Sequence, residues 1–116
     1  MKTSELTGAA LDWVVAKCEG NTFAGDYPHL LSAGFRPPKY STDWAQGGPI
    51  IEREGLNVYF DDVKLTWAAA IWKAIPGGGE LTAKAKDCPT PLIAAMRCYV
   101  ASKLGDDVDV PKELQP

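Results

Sequence analysis

No stretch of this 116-residue chain holds the ~20 consecutive apolar residues that a membrane-spanning helix requires. Glu5 and Asp12 interrupt the first apolar run, so the amino terminus does not read as a signal peptide. Positive charge is scarce as well: 12 Lys and Arg against 15 Asp and Glu leave a net charge of −3 and a pI near 5.0. That balance disfavours a nucleic-acid partner, because the phosphate backbone is gripped by clustered cations that displace counterions. Cysteine is limited to Cys18, Cys88 and Cys98, and histidine to His29. An odd cysteine count without an export signal points to reduced thiols rather than a disulfide framework. These four residues match a zinc set in number only, since no Cys-x-x-Cys pair is present, and no metal or cofactor is expected. A Cys88 nucleophile activated by His29 has no local signature in its favour either.

What is present is the composition of an ordinary globular protein, 46% hydrophobic and 23% charged. The length suits one domain over residues 1–116, with 112–116 as a loose tail. The clearest element lies in residues 88–105, where Thr90 is placed to cap a helix, Pro91 suits its first position and Gly105 its stop. Leu92, Ile93, Met96, Tyr99, Val100 and Leu104 form its inward face, with Ala94, Arg97, Cys98 and Ala101 on the other side. A first helix begins at Thr7, where Leu6 and Leu11 are spaced as a hydrophobic staple. Its stripe is Leu11, Val14, Val15 and Cys18, which leaves Trp13 partly exposed, and Gly20 marks its end.

Between these helices the pattern breaks up. Residues 21–40 carry Tyr27-Pro28, Gly34 and Arg36-Pro37-Pro38 and read as an ordered loop with a short extended piece. A second helix falls within 42–54, with Pro49 in its first turn, Gly55 as its stop and Gly47-Gly48 as either a break or a cap. Residues 56–60 and 65–72 read as an antiparallel hairpin turned at Asp61-Asp62. Trp67, Ala69 and Ile71 would share one face of its second strand and Ala68, Ala70 and Trp72 the other. The alanines there also permit a helix over 64–74, and that alternative stays open. Pro76-Gly77-Gly78-Gly79 forces a turn, and 81–86 supplies a short strand or loop. A small antiparallel sheet packed against two or three helices satisfies all these faces, an α+β single domain.

Motif chemistry is thin. Gly77-Gly78-Gly79-Glu80 lacks the Lys and Ser or Thr of a phosphate loop. Asp106-Asp107-Val108-Asp109 lacks the glycine and terminal glutamate of a calcium loop and reads as a solvated acidic segment. Glu52 and Glu54 point in different directions on one helix. Tryptophan stands out: Trp13, Trp44, Trp67 and Trp72 are many for this length, and such rings serve interfaces as well as cores. Trp44, beside Asp43 and ahead of Pro49, sits where a loop meets a helix. Arg97, on the last helix, has the geometry to hold a carboxylate or phosphate.

Three blocks carry a family resemblance. They are Thr3-Ser4-Glu5-Leu6-Thr7-Gly8-Ala9-Ala10-Leu11-Asp12-Trp13, then the run from Tyr40-Ser41-Thr42-Asp43-Trp44-Ala45-Gln46-Gly47-Gly48-Pro49 through Ile50-Ile51-Glu52-Arg53-Glu54-Gly55, then Thr90-Pro91-Leu92-Ile93-Ala94-Ala95-Met96-Arg97-Cys98-Tyr99-Val100-Ala101-Ser102-Lys103-Leu104-Gly105. In order and spacing they resemble the NinX-like family of small bacteriophage and prophage proteins. The resemblance implies a phage origin and a host-cytoplasm location, without a mechanism. Residues 21–39 and 75–87 fall outside the blocks.

Two classes of function follow. One is a non-enzymatic accessory protein that binds a host or phage protein through the Trp44 region, the loop of residues 21–40, or an exposed helix face. The other is a small-molecule binder or modest enzyme using a pocket between the hairpin and the last helix, with Arg97 or Glu52 as polar anchor. The candidate surface is Asp43, Trp44, Pro49, Glu52 and Arg97. A homodimer through an exposed apolar strip is a further expectation.

Overall fold

The computed structural model describes residues 1–21 and 29–115. Its longest helix, here α4, runs Pro91–Leu104. The Thr90 hydroxyl accepts a hydrogen bond from the Ile93 N–H at 3.1 Å, satisfying one of the donors a helix start leaves open. Gly105, at φ 83°, ends it. Burial departs from the two-faced expectation: Ala94 and Cys98 are as buried as Leu92, Met96, Tyr99 and Val100, whereas Leu104 is 43% exposed. The reason is position. A helix surrounded on all sides has no solvent face, and Leu104 stands in the last turn.

The other helices are α1 (Gly8–Cys18), α2 (His29–Ser32) and α3 (Trp44–Glu54). Leu6 and Leu11, the staple pair, are both fully buried. Trp13 is buried too, contrary to its expected exposure. The loop before α3 crosses α1 beside it, where the Ser41 N–H donates to Asp12 Oδ1 at 2.8 Å. The single helical turn α2 replaces part of the loop expected over 21–40; Tyr27-Pro28 lies outside the described residues.

Helix α3 forms against local preference. It starts at Asp43, whose Oδ1 accepts from the Ala45 N–H at 3.0 Å, and ends at Gly55 in the left-handed region, φ 64° and ψ 40°. Gly47 and Gly48 are therefore interior, and Pro49 lies inside the helix rather than in its first turn. An interior proline costs about 3 kcal/mol, so packing must supply the stability. Gly47 shows how: a Cβ there would collide with the Tyr40 carbonyl oxygen and lie 2.7 Å from Leu92 Cδ1.

Strands β1 (Asn57–Asp61), β2 (Thr66–Ile75) and β3 (Gly78–Cys88) form an antiparallel sheet in the order β1-β2-β3. The register pairs Tyr59 with Ala68 and Asn57 with Ala70, and the pairing of β2 on both edges removes the helical alternative over 64–74. Asp61 Oδ1 accepts from the Val63 and Lys64 N–H groups and closes the first turn. Pro76 and Gly77, the latter at φ 87°, make the second turn, so Gly78 and Gly79 belong to β3, a longer strand than 81–86. Trp67, Ala69, Ile71, Ala83 and Ala85 face the core, and Phe60 and Trp67 meet edge to face with ring centres 5.1 Å apart. Trp72, 56% exposed, lies on the open face.

Two further ties close the domain. Asp106, Asp107 and Asp109 are exposed, but the backbone they sit on is stitched to the amino terminus: Met1 and Val108 exchange 2.9 Å hydrogen bonds, and Val108 and Val110 are buried. Beyond them Lys112–Leu114 makes a 3-10 turn, with Leu114 resting on the core. Across the helices, Arg53 donates to both oxygens of Glu19, at 2.9 and 2.6 Å, and to Glu54 at 2.9 Å. Lys103 reaches Glu54 at 3.2 Å, and the Tyr99 hydroxyl donates to Glu19. Hydrogen bonds from Arg53 hold both carboxyls below the ordinary glutamate range.

Two outcomes are expected. Gly47→Ala loses about 1–3 kcal/mol through forced overlap, whereas Gly48→Ala, with open space around its new methyl, holds or gains up to about 1 kcal/mol; urea unfolding of both variants checks this. Because Glu19 and Glu54 release their protons more readily when folded, their stabilisation is present above the ordinary value of ~4.3 and is lost as pH falls through and below it. With Arg53 half-exposed the effect is at most about 1 kcal/mol. Arg53→Ala should flatten that acid limb in unfolding measured from pH 3 to 7.

Candidate functional site

The starts of α3 and α4 lie side by side around a cavity of about 210 Å³. Ser41, Thr42 and Trp44 wall it from one side and Thr90, Pro91 and Ile93 from the other. The chain reaches this place through a tight turn, in which the Asp43 N–H donates to the Lys39 carbonyl at 2.9 Å. Asp12 fixes the turn from α1 through the Ser41 N–H. Thr42 also walls a neighbouring cavity of about 360 Å³ with Asp12, Arg36 and Lys39.

The chemistry of the cleft is mostly apolar. Trp44 is 54% exposed at its edge. Ser41 is buried, and its hydroxyl, although near the Asp12 carboxylate, makes no hydrogen bond of normal geometry. Two helix starts would ordinarily attract an anion, but here the Asp43 carboxylate and the Thr90 hydroxyl already cap the first turns, and Asp43 repels negative charge. The cleft therefore suits an apolar side chain.

Burial raises the Asp12 carboxyl above its ordinary value, against the opposing influence of Ser41 and Lys39. Asp12 and Ser41 were not among the sequence candidates. The available signal was a carboxylate set between Leu11 and Trp13 on an otherwise apolar helix, which requires a buried partner.

Of the sequence candidates, Asp43, Trp44, Pro49 and Glu52 are all exposed on α3 or at its start. Arg97 is elsewhere. It is partly buried, its Nε donates to the Leu6 carbonyl at 2.7 Å, and it lines a separate cavity beside β3. The cysteines and His29 do not assemble: among the described residues no three His, Cys, Asp or Glu side chains group to hold a metal ion. Cys88 and Cys98 are buried. Burial pushes the Cys18 thiol up to about 11 and that of Cys98 to about 12, which leaves both weak nucleophiles at neutral pH.

The fold and cleft define a small single-domain α+β protein with a largely apolar cleft between two helix starts. No match to a curated protein is found. The family model described as Bacteriophage P22, NinX matches residues 2–103, and the chain belongs to that family. Among the described residues, no helix is long and apolar enough to cross a membrane.

The Asp12 tie has a measurable signature. Asp12→Ala strands the Ser41 N–H and costs about 1–3 kcal/mol, whereas Asp12→Asn keeps the acceptor and costs less. Since the folded carboxyl holds its proton more tightly than the unfolded one, ionisation weakens the wild type as pH rises above ~3.9 through the folded value. Asp12→Asn should lose that slope in unfolding followed across the same range.

Proposed function

We propose that this protein is a non-enzymatic interaction module of phage growth, acting in the host cytoplasm on a host or phage protein that it grips at the Trp44 cleft. The observation that carries this reading is a half-exposed indole walling one small, largely apolar cavity between two helix starts. A partner's apolar side chain fills such a cavity against the ring. Tryptophan at a well-packed contact commonly dominates binding energy. The support extends to rigidity. Gly47 brings α3 against Tyr40 and Leu92, so the ring is presented from a fixed helix start and little ordering entropy opposes binding.

Two of the three blocks that mark the family, those containing Ser41, Thr42 and Trp44 and those containing Thr90, Pro91 and Ile93, meet at this cleft. Pro49 and Glu52 continue the exposed face of α3 away from it.

Affinity capture of the full chain from phage-infected cells tests the reading. Trp44→Ala should cost about 2 kcal/mol, roughly a thirtyfold loss of partner affinity, with an unchanged unfolding midpoint. Equal capture by both forms overturns it. Light scattering separates the remaining occupant: a dimer that dissociates on Trp44→Ala assigns the cleft to a second copy instead.

A further inference from the structure

We propose that the uncovered face of the sheet is a stacking platform for single-stranded nucleic acid, independent of the Trp44 cleft. The face that packs on α4 carries Trp67, Ala69 and Ile71 of β2 and Ala83 and Ala85 of β3. Because side chains alternate along a strand, the residues between them belong to the other face. Ala68 and Ala70 form its floor, with Tyr59 paired beside Ala68, Lys84 beside Ala70 and Leu81 beside Trp72. The two rings are open to solvent, Tyr59 at 50% and Trp72 at 56%, and Lys84 and Lys86 are exposed.

Stacking needs a supported ring with one side free. Trp72 lies against Gly79, where an added Cβ would stand 3.7 Å from its Cε3 atom, so the glycine leaves the indole room to rest on the sheet. Tyr59 sits at the level of Ala68, four β2 residues from Trp72, which is about 13 Å along the strand. The rings therefore take bases that are not adjacent, and the small alanine side chains between them leave space for the intervening nucleotide. Each ring accepts any base, because every base has a π-face.

Charge selects the polymer. Among the described residues neither Lys84 nor Lys86 enters an ion pair; the acids of the salt bridges, Glu19, Glu54 and Asp87, pair with Arg53, Lys64 and Lys103. Asp61, two residues beyond Tyr59, is an acid on this face, and its Oδ1 is taken by the Val63 and Lys64 N–H groups of the turn. Glu80 lies opposite Lys73 in the register, on the other face. A second copy laid on the platform would desolvate four lysines against two Asp61 carboxylates, whereas a phosphate backbone pairs with the lysines. A duplex fits less well, since its bases are stacked inside and the sheet presents no helix or ribbon to a groove. The net charge of −3 opposes a grip made of charge alone, but stacking carries the binding here and needs few cations.

The test is a fluorescence-anisotropy titration of a labelled oligothymidylate of about 12 nucleotides with the full chain, a duplex of the same length serving as comparator. Saturable binding is expected, at least about tenfold tighter for the single strand. Trp72→Ala, at an exposed position, should weaken it about tenfold with an unchanged unfolding midpoint, and Trp72→Phe, which keeps a ring, should retain most of it. With two lysines on the backbone, log K should fall against log salt with a slope of about −1.4, and Lys84→Ala/Lys86→Ala should flatten that slope toward zero. Trp44→Ala should leave binding unchanged, so failure here and failure of the cleft reading are separable. No saturable binding up to about 100 μM protein, equal binding of the duplex, or full binding by Trp72→Ala would each overturn the assignment. So would a dimer in light scattering that dissociates on Trp72→Ala, which gives the face to a second copy.

Discussion

Burial of α4 on every side is the constraint on which the rest of this protein depends. All three strands, α1, α3 and the amino-terminal turn pack against it. The helix meets the demand with two sizes of side chain. Ala94, Ala95 and Cys98 have no exposed surface, and Cys98 Sγ reaches the Ala83 carbonyl of β3 at 3.6 Å. Leu92, Met96, Tyr99 and Val100 fill the space toward the other helices. Small and large residues interdigitate in this way because protein interiors pack as densely as organic crystals.

At one end of α4 this apolar packing meets charge. The Tyr99 ring is buried, while the Arg53 and Lys103 cations both stand 5.8 Å from its centre. Its hydroxyl donates to Glu19, and burial together with that carboxylate raises its own ionisation well above the ordinary range. One side chain thereby serves core and ion-pair network at once, and the ends of α1, α3 and α4 are fastened together on the side away from the start of α4.

The Trp44 cleft depends on the same arrangement. Residues 47–49, Gly-Gly-Pro, oppose a helix on propensity, so α3 exists because it is packed, and Gly47 permits the packing. Asp12 then holds Ser41 beside the start of α4. Much of this was legible along the chain: the cap at Thr90, the Leu6–Leu11 staple, the exits at Gly55 and Gly105, and the hairpin of β1 and β2. The burial of Trp13 and the partial burial of Arg97 were not, since each is set by a neighbour distant in sequence. Arg97 lies 91 residues from the Leu6 carbonyl it binds.

By itself, then, the sequence determined the bounds of α1 and α4, the exit of α3 and the α+β class. Those features rest on hydrogen bonds and dihedral preferences that act within a few residues. Only the tertiary structure decided which sides of α1 and α4 are covered, that Pro49 sits inside a helix, and that Ser41, Thr42 and Trp44 face Thr90, Pro91 and Ile93 across one cavity. The physical reason is that a helix apolar all round carries no mark of which neighbour lies where; that information resides in the packing of segments brought together only when the chain folds.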